Sequence, residues 1–334
     1  MEAREAAMAT LVAVLDAVPG ERVLIVSDDV RQDVAMAFAQ GAIDAGLWVR
    51  NHVMETTIQP RKRIPADLVE LLTGKDPDII LNFLRGAGEE TPFRIELVQL
   101  ETRRKKRLGH CPGTTLDMLT EGALALTVEG HRELQKLANK LIQAMQGSVE
   151  LHLTTPAGTD CLIGVEGRTW YTDTRINWET MKWMNLPTGE TLIGPVETKW
   201  DGRLVCDLAM GGYPGVMPSP LTLEARTGRV VSVSCDHKKA LEYVENTLAT
   251  DDWAKHIGEF AFGLNEKARL HEEFVETEKM RTVHIAIGNN LDYPGHTMNA
   301  SKTHLDFLVK DPTVIAKYVD GSEKSIIKDG KYLV

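Results

Sequence analysis

The stretch that decides the fold of the first half of the chain is residues 22–54, RVLIVSDDVRQDVAMAFAQGAIDAGLWVRNHVM. Arg22–Asp28 is a short apolar run after Pro19-Gly20, which is typical of a buried parallel strand. Val30–Gly46 has the pattern of a helix that closes on a glycine, and Leu47–Met54 has that of a second strand. A strand, a helix and a strand in this order predict one unit of a parallel sheet.

The same alternation continues to about residue 146. The further predicted elements are helices over Pro65–Thr73, Thr91–Lys106 and Glu129–Gln146 and a third strand over Asp78–Leu84. We therefore expect an α/β N-terminal domain with a doubly wound parallel sheet. From Val149 onward, short strand patterns alternate with turn residues, and one helix is predicted over Lys238–Leu248. This change predicts a boundary near Gly147, with an N-terminal domain of residues 1–147 and a β-rich α+β domain of residues 148–334.

The composition restricts the class of partner. The chain has 334 residues and 43% hydrophobic content, enough for about two domains. Lys and Arg number 38 against 48 Asp and Glu, for a net charge of −10, so neither a nucleic acid nor a membrane surface is an expected partner. The four cysteines form no CxxC pair, and the acidic N-terminus does not resemble a signal peptide. We expect a cytoplasmic protein with reduced thiols.

Three segments bear on nucleotide or anion binding. No GxGxxG follows the first predicted strand; the turn there is Ser27-Asp28-Asp29, and its acids would repel a pyrophosphate. Gly211–Gly215 is glycine-rich but lies outside any predicted strand-to-helix turn. We interpret the basic run Arg103–Arg107 as the solvated C-terminus of a helix, where cations are favoured by the helix dipole. No nucleotide cofactor is expected.

Residue types that bind metal ions are concentrated in the last part of the chain. His304 and Asp306 lie two apart in the alternating stretch Thr303–Val309, so both point to one face of the predicted strand. His284 is embedded in an apolar strand, where an imidazole needs a hydrogen bond or a metal ion. Taken singly, these residues are more often a solvated pair on a strand and a hydrogen-bonded core histidine.

Two acids complete the set. Glu259 is the single acid of the apolar stretch Ile257–Gly263, and Glu190 follows the predicted turn Leu186–Gly189. Two glutamates, two histidines and an aspartate form a mixed nitrogen and oxygen donor set that suits Zn, Co, Mn or Fe(II), but not calcium or a thiolate site. Five protein ligands exceed the three or four of a catalytic zinc, which favours two metal ions that share a bridging carboxylate.

The ordered series of these segments resembles the aminopeptidase T / aminopeptidase S family of dimeric two-metal exopeptidases, most clearly over residues 150–334. The segments are Asn185–Glu190, Glu259–Leu270, Glu278-Lys279, His284–Gly288 and His304–Asp306. The resemblance implies that the metal ligands are Glu190, Glu259, His284, His304 and Asp306, with Glu259 the favoured bridge. It also implies a homodimer that removes N-terminal residues from peptides by means of a metal-activated water.

Two positions depart from this family. Its members carry an acid immediately before the Glu190 equivalent, where this chain has Gly189. They place a tyrosine seven residues after the His284 equivalent, where this chain has Leu291, with Tyr293 two residues further on. An acid or a tyrosine beside the metal ions would serve as a general base or support the oxyanion. The catalytic residue is therefore unassigned, with Glu197 and Tyr293 as the candidates.

A second resemblance implies different chemistry. The 2,5-dihydroxypyridine dioxygenase, which uses one Fe(II), is more distantly similar, and His284, His304 and Asp306 could form a 2-His-1-carboxylate iron site. We prefer the hydrolase, because a mononuclear iron site leaves the two glutamates unexplained. The substrate is a peptide or another small molecule, so hydrolysis of a non-peptide amide is a further alternative. A binding module without catalysis is the least favoured interpretation.

Overall fold

The computed structural model describes residues 1–74, 77–86, 88–103, 106–177 and 183–334. The helices in these ranges are α1 (Ala3–Ala13), α2 (Gln32–Asp44), α3 (Ala66–Thr73), α4 (Thr91–Glu101), α5 (Leu116–Thr120), α6 (Val128–Met145), α7 (Lys238–Leu248) and α8 (Phe274–Thr277). The strands are β1 (Arg22–Asp28), β2 (Trp48–Met54), β3 (Ile79–Leu84), β4 (Arg107–Pro112), β5 (Ser148–Thr154), β6 (Asp160–Gly164), β7 (Tyr171–Thr172), β8 (Trp183–Asn185), β9 (Glu190–Ile193), β10 (Trp200–Cys206), β11 (Ala209–Met210), β12 (Leu221–Arg226), β13 (Arg229–Cys235), β14 (Ile257–Gly263), β15 (Val283–Gly288), β16 (His304–Val309), β17 (Thr313–Tyr318), β18 (Glu323–Lys328) and β19 (Lys331–Tyr332).

The chain folds into two compact units that are each discontinuous in sequence. The first unit comprises Met1–Gln135, Asp173–Thr188 and Asn265–Arg269, and the second comprises Lys136–Thr172, Gly189–Leu264 and Leu270–Val334. A single boundary at Gly147 stays a prediction, since these units are defined by packing and not by consecutive sequence. Among the described residues, no helix is both long and apolar enough to cross a membrane.

The first unit is built on the predicted parallel sheet. Its strand order is β2-β1-β3-β4-β8, and every pairing in it is parallel. The strand β1 has the predicted bounds and is buried from its second residue onward, because its apolar run is covered on both faces. The predicted α/β fold class is thus confirmed. The fifth strand, β8, comes from the later part of the chain and pairs Trp183 with Leu108.

The interpretation of the basic run as a solvated helix end is wrong for its last two residues. Helix α4 ends at Glu101, and Lys106 and Arg107 are buried. The Lys106 ammonium donates to the carbonyl of Leu72 at 2.7 Å, and the Arg107 guanidinium donates to that of Leu15 at 2.9 Å. A distant carbonyl holds Lys106, and distant carbonyls together with the Glu21 carboxylate hold Arg107, which a local pattern cannot reveal.

The second unit contains two antiparallel sheets. One has eight strands in the order β13-β12-β10-β6-β5-β17-β18-β19, and the other has six in the order β11-β16-β15-β14-β9-β7. Strands β12 and β13 form a hairpin whose turn residues, Thr227 and Gly228, have φ values of 49° and 81°. Two successive positive φ values fit the tight hairpin turn that the sequence predicts. The six-stranded sheet carries the residues that matter most for function.

Candidate metal centre

The five residues proposed as metal ligands lie on four neighbouring strands of the six-stranded sheet. They are Glu190 on β9, Glu259 on β14, His284 on β15, and His304 and Asp306 on β16. In the sheet register Ala261 lies opposite His284, and Ala286 lies opposite both Glu259 and Asp306. Because side chains alternate between faces and directly paired residues share a face, all of these side chains project from the same face. The structure therefore brings the five predicted residues together.

Small residues alternate with the ligand residues on this face. Gly263 lies opposite Glu190, and Gly288 lies opposite His304. Positions without large side chains leave room above the sheet for long carboxylates and imidazoles. The other face carries Phe260, Ile285 and Phe307, which are fully buried. Packing of this face fixes the strands, and the strands in turn hold the ligand residues in place.

Glu259 lies between the two imidazoles. Its Oε1 is 3.4 Å from Nε2 of His284, and its Oε2 is 3.1 Å from Nε2 of His304. Two donor groups result, Glu190 with Glu259 and His284, and Glu259 with His304 and Asp306; within each group the donor atoms lie within 4.8 Å of one another. A carboxylate whose two oxygens face two different groups has the arrangement of a bridging ligand.

The remaining contacts orient the ligand atoms. Oδ1 of Asp306 is 3.3 Å from Nε2 of His304, and Oε1 of Glu190 is 3.8 Å from Nε2 of His284. Nδ1 of His304 lies 2.9 Å from the main-chain carbonyl of Asn289. A hydrogen bond from Nδ1 to this carbonyl fixes the ring and leaves the lone pair of Nε2 available to bind a metal ion, as in many metal-binding histidines.

The centre carries an excess of negative charge. Burial lowers the pKa of His284, but the hydrogen bond to Glu259 and the charges of Glu190, Glu259 and Asp306 outweigh it and raise this pKa to about 9. Burial likewise opposes a raised pKa at His304, yet the charge of Asp306 and its hydrogen bonds hold it well above the usual value. The pKa of Glu259 is lowered despite burial, because both imidazoles hydrogen-bond to it. The cluster therefore attracts positive charge.

This electrostatic environment fits divalent metal ions. Buried carboxylates need a compensating cation, and neutral imidazole with carboxylate oxygens is the donor set of Zn, Co and Mn sites. The group of Glu190, Glu259 and His284 would hold one ion, and that of Glu259, His304 and Asp306 a second. The residues present thus fit a metal centre with a shared carboxylate.

Tyr293 lies at this centre. Its hydroxyl donates a hydrogen bond to Oε2 of Glu259, and its ring centroid is 6.3 Å from that of His304. Burial and the Glu259 charge raise the pKa of the Tyr293 hydroxyl well above its usual value, so it stays protonated as a donor. Leu291, at the family's tyrosine position, is 52% exposed. The tyrosine two residues later reaches the ligands instead.

Glu197 is held in a different network. Its carboxylate accepts hydrogen bonds from Arg168, from Nδ2 of Asn290 at 3.2 Å and from the main-chain nitrogen of Met298 at 2.7 Å. These contacts tie the segment that carries Tyr293 to the sheet, and they occupy both carboxylate oxygens. Glu197 is therefore placed as an anchor of this segment.

Two residues at the centre escaped functional assignment from the sequence. Nζ of Lys279 lies 2.7 Å from Oε2 of Glu190 and 2.9 Å from Oε1 of Glu278. Glu278 and Lys279 belong to a segment that resembles the aminopeptidase family. Nothing in the sequence spacing, however, reveals that Lys279 contacts Glu190, which lies 89 residues earlier. The only sequence signal is a lysine close to an apolar strand, where charge needs a partner.

Comparisons with known proteins identify the family and the fold. Residues 127–332 match the family described as thermophilic metalloprotease (M29), and this range includes all five candidate ligand residues. No curated protein sequence matches the chain. Among solved structures, AmpT from Thermus thermophilus is similar with a TM-score of 0.76 and 18% identity, over 100% of this chain and 99% of that one.

A second solved structure is also similar. The 2,5-dihydroxypyridine dioxygenase from Pseudomonas putida has a TM-score of 0.71 and 16% identity, over 100% of this chain and 98% of that one. Identities this low show a common fold and no more, so the family match decides between the two neighbours. The match covers more than half of the chain. The chain belongs to the thermophilic metalloprotease (M29) family and is a metal-dependent hydrolase.

Proposed function

We propose that this hydrolase is an aminopeptidase that holds two divalent metal ions, Zn, Co or Mn, and removes residues from the N-terminus of peptides. The observation that carries the proposal is the position of Glu259, whose two oxygens face the imidazoles of His284 and His304. In a site with one metal ion, only one of the two Glu259 oxygens would need to face a histidine. Both donor groups share Glu259, as a bridging ligand requires.

When bound, the metal ions supply a polarised substrate carbonyl and a water of lowered pKa. The chain contributes the positions of the ligands and a hydrogen-bond donor. The Tyr293 hydroxyl has a single proton, which it donates to Glu259, so it stabilises the developing oxyanion of the substrate by exchanging this partner for the substrate oxygen. Its proton is retained at neutral pH because of its raised pKa.

The exposure of the ligands indicates the side from which substrate enters. The His304 side chain is 32% exposed, whereas the side chains of Glu190, Glu259 and His284 are buried. A peptide would therefore approach over β16, with Asp306 beside it. The amine of a free N-terminus has a lone pair that could bind one of the metal ions, whereas the nitrogen of an acylated N-terminus has none available.

The surroundings of the enzyme are part of the same proposal. Family resemblance favours a homodimer, the scattered cysteines favour the reducing cytoplasm, and a net charge of −10 argues against nucleic-acid and membrane-surface partners. A non-peptide amide is the alternative substrate. An Fe(II) dioxygenase that uses His284, His304 and Asp306 is the alternative chemistry, and it would leave Glu190 and Glu259 beside the iron without a role.

The first test is the metal content of protein purified without chelator or column-derived metal. We expect about two equivalents of Zn, Co or Mn per chain in the wild type and a clear loss in His304→Ala. The matched control is His152→Ala, which removes an exposed histidine of the same unit that pairs with Asp160. One equivalent of iron with oxygen uptake would support the dioxygenase, and absence of metal after reconstitution would contradict both enzymes.

The second test concerns the substrate. Aminoacyl amides with a free amino group are compared with their N-acetylated forms at the same concentrations. An aminopeptidase hydrolyses only the free form. Equal hydrolysis of both forms would instead indicate a general amidase.

A further inference from the structure

Lys279 is a charged residue that is buried in the protein interior. It follows α8 closely and is only 2% exposed. A lysine is rarely this buried unless it is paired with acids, because its ammonium loses its hydration. An ammonium group has no lone pair and cannot bind a metal ion, so its role at the centre is exerted through its neighbours.

The two oxygens of Glu190 have different surroundings. Oε2 accepts a hydrogen bond from Nζ of Lys279 at 2.7 Å, whereas Oε1 lies 3.8 Å from Nε2 of His284. The same ammonium lies 2.9 Å from Oε1 of Glu278, so two carboxylates hold it from different directions. Lys279 therefore engages one oxygen of Glu190 in a hydrogen bond, while the other oxygen is the one near His284.

We propose, on the basis of the proposed function, that Lys279 is a positioning residue that restricts Glu190 to a single metal-binding oxygen. A catalytic metal ion keeps a coordination position for water or substrate, and a carboxylate that binds through both oxygens would fill it. Groups that hydrogen-bond to the ligands commonly set their orientation in this way. Without Lys279, Oε2 of Glu190 loses this hydrogen bond and can turn toward the metal ion.

A purely structural role makes a different prediction. If Lys279 only neutralises buried acids, its loss lowers stability but leaves the coordination of the metal unchanged. The two roles are separated by the visible absorption of cobalt, since Co²⁺ with six ligands absorbs more weakly than Co²⁺ with four or five. This measurement reports the ligands directly and does not depend on turnover.

The experiment compares cobalt-loaded wild type, Lys279→Met and the control Lys310→Met, which removes an exposed lysine just beyond β16. We expect two cobalt ions in each protein, with the absorption per cobalt lowered about twofold or more in Lys279→Met. We also expect its kcat on an aminoacyl amide to fall about 10- to 100-fold. Lys310→Met should match the wild type in both respects.

Lys279→Met with wild-type absorption overturns the proposal, whether or not its unfolding midpoint is lower. If that variant does not fold, Lys279→Ala, which also removes the donor but has a smaller side chain, is measured in the same way. Failure of both to fold would show that Lys279 serves the fold, which also overturns the proposal. A wild type that binds no cobalt would contradict the proposed function itself, and a normal wild type with unchanged variants would contradict this proposal alone.

Discussion

The hydroxyl of Tyr293 donates a hydrogen bond to Oε2 of Glu259, the carboxylate that both metal-donor groups share. Leu291, at the position where the resemblance places the family's tyrosine, has a solvent-exposed side chain. The tyrosine two positions later in the sequence, on the segment between β15 and β16, is the one that contacts the candidate ligands.

Replacement of Tyr293 by phenylalanine tests its role as a donor. We expect kcat to fall about 100- to 1,000-fold with metal content unchanged, since one donor to the oxyanion is lost. Steady-state kinetics on an aminoacyl amide and metal analysis give both values. Tyr318→Phe, which removes a hydroxyl bonded to the carbonyl of Ala144, is the control and should keep its kcat. A Tyr293→Phe enzyme with normal kcat would rule out this donor.

For Glu197 we expect the opposite result: its replacement should lower stability more than activity. Substitution by glutamine leaves the Arg168 guanidinium buried without its carboxylate, and broken buried ion pairs cost about 3–5 kcal/mol. We expect the midpoint of urea unfolding to be lower than in the wild type. Loss of a general base lowers kcat about 100- to 10,000-fold, and we expect a much smaller reduction here. A variant with unchanged stability whose kcat falls as much as on loss of a general base would show that Glu197 is a catalytic residue.

The backbone conformation at position 189 explains why this chain has a glycine there and not the acid of the family. Its φ of 140° lies in the region that residues with side chains avoid. Introduction of the family's acid by Gly189→Asp should therefore destabilise the protein by about 1–3 kcal/mol and give no gain in kcat. Thermal denaturation and kinetics of the variant provide the check. An unchanged midpoint together with a higher kcat would show that the site accepts the acid after all.

His131 predicts a pH dependence of stability in the first unit. Burial lowers its pKa from 6.5 to about 4, so the unfolded chain binds its proton more readily than the folded one. Its contribution to the free energy of unfolding is therefore full above pH 6.5 and is lost as the pH falls toward 4. Between pH 7 and pH 5 the loss is about 2 kcal/mol.

Urea titrations of wild type and His131→Gln at these two pH values measure this contribution. The variant should lose less stability on acidification than the wild type, by about the same 2 kcal/mol. The variant His152→Gln, at an exposed histidine, should behave like the wild type. An equal loss in all three proteins would mean that other groups govern the acid response.

The sequence by itself determined the features that depend on local pattern. The apolar run Arg22–Asp28 and the helix–strand alternation after it predicted the parallel sheet, because burial on both faces requires such a run. The two-residue spacing of His304 and Asp306 predicted that they share a face, since the side-chain period of a strand is fixed at two. Family order then related these residues to Glu190, Glu259 and His284.

Tertiary structure alone decided the contacts between distant segments. The register that places Glu190 opposite Gly263, the partners of Lys106, and the bond from Lys279 to Glu190 join positions tens of residues apart. Such contacts are fixed by how whole strands pair and pack, and they leave no periodic signal in the chain. The candidate ligands and Tyr293 could therefore be named from the sequence, whereas the contacts of Lys279 with Glu190 and of Tyr293 with Glu259 became apparent only when the sheet was assembled.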